Sequence, residues 1–177
     1  TINKVGYGFN GWNTRADGSG INISDKTVVG ANSEVDFANG SITLYAQWSN
    51  NEYTLTLNAN GGSIEENAAW TLLSDGTSAT KKVEYNVAYG TLPTNNTTQE
   101  ADDANATITR DGYLFDGWWT NNGGSSTSDA DWGSEITADS VVAVTGAHTI
   151  YARWIARTDT QYVVNYYLEN LGVDLGS

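Results

Sequence analysis

Residues 112–120 read GYLFDGWWT, and residues 6–14 read GYGFNGWNT. Further along each stretch, residues 148–154 read HTIYARW and residues 42–48 read ITLYAQW. Gly6 falls on Gly112 and Trp48 on Trp154, at one offset of 106 residues (112 − 6 and 154 − 48). Two separated motifs sharing one offset mark an internal repeat, and a repeat must be read before anything else in the chain. The signature is Gly6, Tyr7, Phe9, Gly11, Trp12, Tyr45 and Trp48 in the first copy. In the second it is Gly112, Tyr113, Phe115, Gly117, Trp118, Tyr151 and Trp154.

A softer match extends the pattern. Tyr53–Asn58 (YTLTLN) and Tyr162–Tyr167 (YVVNYY) each follow a closing Trp across a polar linker. The order predicts three regions. Residues 1–49 form the C-terminal half of a truncated repeat, 53–155 a complete module, and 156–177 a linker with the start of a further module. On this reading the chain is a piece of a longer array.

Within the complete module, Tyr53–Leu57 alternates apolar and polar residues, the period of a strand with one buried face. Asn60-Gly61-Gly62 supplies turn residues to stop it. Lys82–Val87 alternates similarly and predicts a second strand. Residues 113–118 predict a third, in which Trp118 shares a face with Leu114 unless Gly117 marks a bulge. Thr149–Trp154 closes the module with Ile150, Ala152 and Trp154 on one face. Glu65–Leu73 (EENAAWTLL) reads equally as a short helix or an extra hairpin. The expected class is mainly β with at most a short helix (α+β). Four such strands bury little unless a helix or a loop carrying Trp132 covers them.

Composition narrows the function. The chain has 177 residues, 8 Lys+Arg against 21 Asp+Glu, and a formal net charge of −13. That balance opposes nucleic-acid binding, which needs a concentrated basic surface. It also opposes adhesion to anionic lipid heads. There is no cysteine, so disulfides, thiolate metal sites and cysteine nucleophiles are excluded. No apolar run is long enough for a membrane helix, so no membrane insertion is expected of this stretch. No signal peptide opens it. His148 is the single histidine, and no serine lies in a GxSxG elbow. No catalytic residues, cofactor or metal are expected.

The ordered motifs GYxFxGW, [IL]YAxW and YTLTLNANGG resemble the internalin B-repeat, also called the Listeria–Bacteroides repeat, over nearly the whole chain. Val35-Asp36-Phe37 resembles a further family feature, and Gln161–Gly172 is similar to the opening of mucin-binding-type repeats. The resemblance implies tandem β-grasp (ubiquitin-like) modules in bacterial surface proteins, with no catalytic residues. Residues 63–81 and 94–107 depart from it as polar insertions, either ligand-binding decorations or solvated loops.

Tryptophans that recur in both copies are expected in the core. Trp70, Trp119 and Trp132 have no counterpart in the first copy, which makes them the candidates for stacking on a ligand. Asp129, Asp131 and Glu135 form an incomplete calcium-loop pattern. The expected role is a stalk or spacer on the extracellular, cell wall-attached surface of a bacterium, projecting adhesive domains. The alternative is direct binding of glycan or host protein. The expected partners are neighbouring repeats, with host protein or glycan as a further option. The truncated repeat lacks its first strands, so a strand-exchanged oligomer is a further expectation, with Tyr162–Tyr167 as donor.

Overall fold

The structure, a computed structural model, describes residues 2–24, 27, 41–95 and 106–158. Val35-Asp36-Phe37, most of the 94–107 insertion and the Tyr162–Tyr167 segment lie outside the described residues, and so does the expected strand exchange.

The first copy forms a three-stranded antiparallel sheet from β1 (Tyr7–Asn13), β2 (Asn22–Ile23) and β3 (Tyr45–Asn50), with β1 in the middle. Phe9 pairs with Trp48 and Trp12 with Ala46, so β1 advances three residues where β3 advances two. This is a β-bulge, and Gly11 sits in it at φ 104, a conformation that side chains resist. The extra residue puts Phe9 and Trp12 on one face. Both rings meet edge to face there, and Phe9 meets Trp48 likewise, at centroid distances of 5.6 and 5.5 Å.

The second copy begins with β4 (Glu52–Asn58), β5 (Ser63–Ile64), β6 (Thr71–Leu72) and β7 (Ser78–Glu84). It continues with β8 (Ile108–Thr109), β9 (Tyr113–Trp119), the four-residue helix α1 (Asp129–Trp132), β10 (Glu135–Ile136) and β11 (His148–Ala156). Six strands make one mixed sheet in the order β10-β9-β11-β4-β7-β6, and β5 pairs with β8 separately. The middle pair, β4 and β11, is parallel, from His148 opposite Leu55 to Tyr151 opposite Asn58. Its neighbours are antiparallel. The described residues are thus mainly β with one short helix.

The alternation in β4 does what its period requires: Leu55 and Leu57 are fully buried. Phe115, Trp118, Ile150 and Ala152 meet them in one core, with Trp154 packed against it. In β9 the bulge is the register adopted. Trp118 pairs with Ala152 and Phe115 with Trp154, and Gly117 takes φ 99.

Two expectations need correction, over Lys82–Val87 and residues 63–81, and one open alternative, at Glu65–Leu73, is decided. The strand predicted over Lys82–Val87 starts earlier and ends at Glu84, because Asn86 turns the chain with φ 60. Glu65–Leu73 is a hairpin and not a helix: Asn67 bridges Trp70, and β6 pairs with β7. Residues 63–81 are no solvated insertion, since they carry β5, β6 and the start of β7, and bury Ile64 and Trp70 in the core. Trp132, expected on a loop, ends the four-residue helix α1; it lies outside the main core cluster and packs with Arg153.

Candidate functional site

The repeat brings the same three rings together twice. Phe115 meets Trp118 at 5.7 Å and Trp154 at 5.4 Å, nearly the spacing of Phe9 with Trp12 and Trp48. What differs is the cover. Phe115 is 7% exposed and Phe9 43%. In the second copy the Trp118 Nε1–H donates to the Pro93 carbonyl at 2.7 Å, and the Trp154 Nε1–H donates to the Ala59 carbonyl at 2.8 Å. Both carbonyls come from chain that precedes β9, so the first half of the module closes over the aromatic cluster.

The three tryptophans singled out for ligand stacking do not present their faces to solvent. Trp70, Trp119 and Trp132 are 5%, 9% and 2% exposed. Each indole N–H is taken by nearby backbone: Glu65 O for Trp70, Asp116 O for Trp119 and Ser126 O for Trp132. A buried indole needs such an acceptor, and these local carbonyls hold the rings inward.

Trp119 and Trp132 belong to a cluster that the sequence reading missed. Arg153, on the opposite face of β11 from Ala152, lies with its guanidinium 4.9 Å from the Trp119 ring and 5.7 Å from the Trp132 ring. Its Nε contacts Asp116 Oδ2 at 3.1 Å, its Nη1 donates to Asp129 Oδ1, and its Nη2 donates to the Thr127 carbonyl at 3.0 Å. A planar, delocalised cation suits this combination of stacking and forked hydrogen bonding. Burial raises the Asp116 pKa, the Arg153 charge offsets part of that rise, and Asp129 adds to it. The cluster ties the 120–134 loop to the sheet. The first copy has Asn10, Asn13 and Gln47 at the positions of Asp116, Trp119 and Arg153. Buried Asn13 there organises its own loop, donating to Gly18 O and Asn22 Oδ1 and accepting from the Arg15 and Gly20 amides. The joint change at three matched positions was the available signal.

The calcium pattern is not assembled. Asp129 is engaged by Arg153, Asp131 accepts from the Ser126 hydroxyl, and Glu135 stands on β10. Among the described residues no group of three His, Cys, Asp or Glu is placed to hold a metal ion. His148 opens β11. Its Nδ1 lies 3.0 Å from the Gly146 carbonyl, which can only accept, so Nδ1 carries the proton. In the neutral ring Nε2 then accepts from the Tyr89 hydroxyl at 2.8 Å. This pair fixes the start of the strand.

These contacts hold segments of the chain against one another. The sequence pattern of the Listeria-Bacteroides repeat domain matches residues 1–47 and again 53–153. A protein of Evansella cellulosilytica, named "Putative Gly-rich membrane protein", is 32% identical over 119 residues, which are 67% of this chain. The chain spans about a tenth of that relative's length, the matched part being 10% of it. No solved structure matches. The two matched stretches coincide with the two aromatic clusters and their strands, and the chain belongs to the Listeria-Bacteroides repeat domain family.

Proposed function

We propose that this chain is a non-catalytic repeat region of a bacterial surface protein, and that its modules act as a spacer holding other domains away from the cell. Residues 1–49 belong to one repeat, 53–155 make up a complete one, and 156–177 lead into another. The parallel middle pair with antiparallel strands on either side is the order of a β-grasp sheet, and we assign the modules to that fold on strand order. The observation that carries the spacer reading is the inward placement of Trp70, Trp118, Trp119 and Trp132 in the complete module. Aromatic residues that would stack on a sugar are spent on the module's own packing. The relative's printed name places that protein at a membrane, and the chain's small share of its length fits one region among many.

Small-angle scattering on arrays of increasing repeat number tests this. A spacer lengthens by a constant increment per repeat, whereas an array that folds back on itself does not. The second reading is a direct binding module for glycan or host protein, and exposed Phe9 favours it. Titration of the isotope-labelled chain with a glycan panel separates the two. Saturable shifts at Phe9, Trp12 and Trp48 would put binding first.

A further inference from the structure

One residue joins the two copies. The Asn51 amide donates to the Gly6 carbonyl at 2.9 Å, continuing the β1–β3 sheet, while the Asn51 carbonyl accepts from the Tyr85 amide at 2.9 Å, continuing the β4–β7 ladder. The Tyr85 ring lies directly on Gly6. A Cβ built there would fall 2.2–2.4 Å from three of the ring carbons, and Gly6 holds φ 80. The same ring meets Tyr7 edge to face at 5.4 Å, and Lys4 Nζ stands 3.8 Å from the centre of the Tyr7 ring. The tyrosine that follows β7 of one repeat is thus seated on a glycine–tyrosine–cation corner of the repeat before it.

The complete module builds the same corner at its own far end. At the offset of 106 residues, Lys4, Gly6, Tyr7 and Asn51 become Arg110, Gly112, Tyr113 and Arg157. The backbone is reproduced bond for bond. The Tyr7 amide donates to Lys4 O at 3.0 Å and the Tyr113 amide to Arg110 O at 3.1 Å, while the Arg157 amide donates to Gly112 O at 2.9 Å. Gly112 takes φ 76, and the Arg110 guanidinium lies 3.9 Å from the Tyr113 ring centre. Over Gly112, where Tyr85 covers Gly6, a Cβ would meet no atom within 4 Å among the described residues. Beside it Ile155, in the place of Ser49, is 49% exposed.

We propose that Arg110, Gly112 and Tyr113 form a docking face for the next repeat in line, a second copy of the complete module, which seats on it the tyrosine that follows its β7. The same contact made twice fixes the angle between successive repeats. This concerns how repeats meet and holds whether or not the array serves as a spacer.

The residues after Arg157 keep a different spacing here, since Tyr162 stands five positions on where Tyr53 stands two after Asn51. The probe is therefore a second copy of residues 52–157 inserted between Arg157 and Thr158. The chain has no cysteine, so pairs of spin labels can be placed at will. Ser41→Cys with Ser74→Cys reports the existing joint, and Ala147→Cys with Ser74→Cys of the inserted copy reports the new one; all three sites are exposed. The two distance distributions should share a centre and be equally narrow. Tyr85→Ser in the inserted copy should broaden the second and leave the first unchanged, and so should Tyr113→Ser, with melting curves confirming that each module is folded. A broad distribution with both tyrosines present, or one that neither substitution alters, overturns the proposal.

Discussion

Trp118→Ala should unfold the complete module at physiological temperature. Trp118 is 2% exposed and sits where Phe115, Ala152 and the Pro93 segment converge. Truncating a buried Trp costs about 3–5 kcal/mol through lost transfer energy and the cavity left behind. The indole also donates to the carbonyl of Pro93, itself fully buried, and an abandoned buried acceptor adds about 1–3 kcal/mol. A domain of this size holds only about 5–15 kcal/mol. A loss of 3–5 kcal/mol alone lowers the melting temperature by roughly 12–40 °C, at about 4–8 °C per kcal/mol. Trp118→Phe separates the two contributions, since it keeps an aromatic ring and removes only the donor and part of the volume. It should fall between wild type and Trp118→Ala. Urea unfolding with hydrogen exchange resolved by segment is the assay, because it distinguishes β4 and β11 of the complete module from β1 and β3. An unchanged melting temperature for Trp118→Ala would refute the reasoning and move ligand binding to first place. A Trp118→Phe variant as unstable as Trp118→Ala would show that the donor dominates.

Phe115→Ala should cost about 3–5 kcal/mol, whereas Phe9→Ala at the matched but open position should cost about 1–2 kcal/mol, read as loss of exchange protection in β11 and β3 respectively. Arg153→Gln, which installs the residue found at the matched Gln47, should cost roughly 1–3 kcal/mol. Amides of the 120–134 loop should lose protection first, and adding Asp116→Asn should restore part of the loss. The Asp75 carboxylate accepts from the Thr77 and Ser78 amides, and the Thr77 amide is the largest cause of its lowered pKa. Its folded pKa lies below the ordinary 3.8, so its contribution is present above that value and is lost as pH falls through the folded one. Protection factors at Thr77 and Ser78, referred to the intrinsic rate at each pH, should therefore fall on acidification, and Asp75→Asn should abolish that dependence. Protection that stays flat with pH in the wild type would contradict the assignment.

Period and repetition made the central strands legible. Leu55 and Leu57 are buried as alternation demands, and the 106-residue offset identified the three rings that meet in each copy. The bulge was one of two registers open in the sequence, and pairing with β11 chose it by placing Trp118 beside Ala152. The hairpin at Asn67–Trp70 was equally open, because EENAAWTLL suits either state locally. Pairing with β7, which lies outside the segment, decides it, and the local Trp70 bond to Glu65 O holds the turn. The three unmatched tryptophans suggested a ligand because nothing in the first copy explained them. Two are explained by Arg153, whose guanidinium only a three-dimensional structure brings between loop and sheet, and Trp70 by the core it fills.

The parallel pairing of β4 with β11 has a mechanical consequence. The chain enters the module at the start of β4 and leaves at the end of β11, and parallel neighbours put those points at opposite ends of the sheet. Tension along the chain drags the two strands past each other lengthwise. The rungs from His148–Leu55 to Tyr151–Asn58 then resist in shear, all at once, where an antiparallel terminal pair would open like a zipper, one rung at a time. Asn51 passes the pull from β3 straight into β4 with a single intervening residue, so little slack is taken up before the next sheet is strained. A module wired in this way resists tension applied along its own chain.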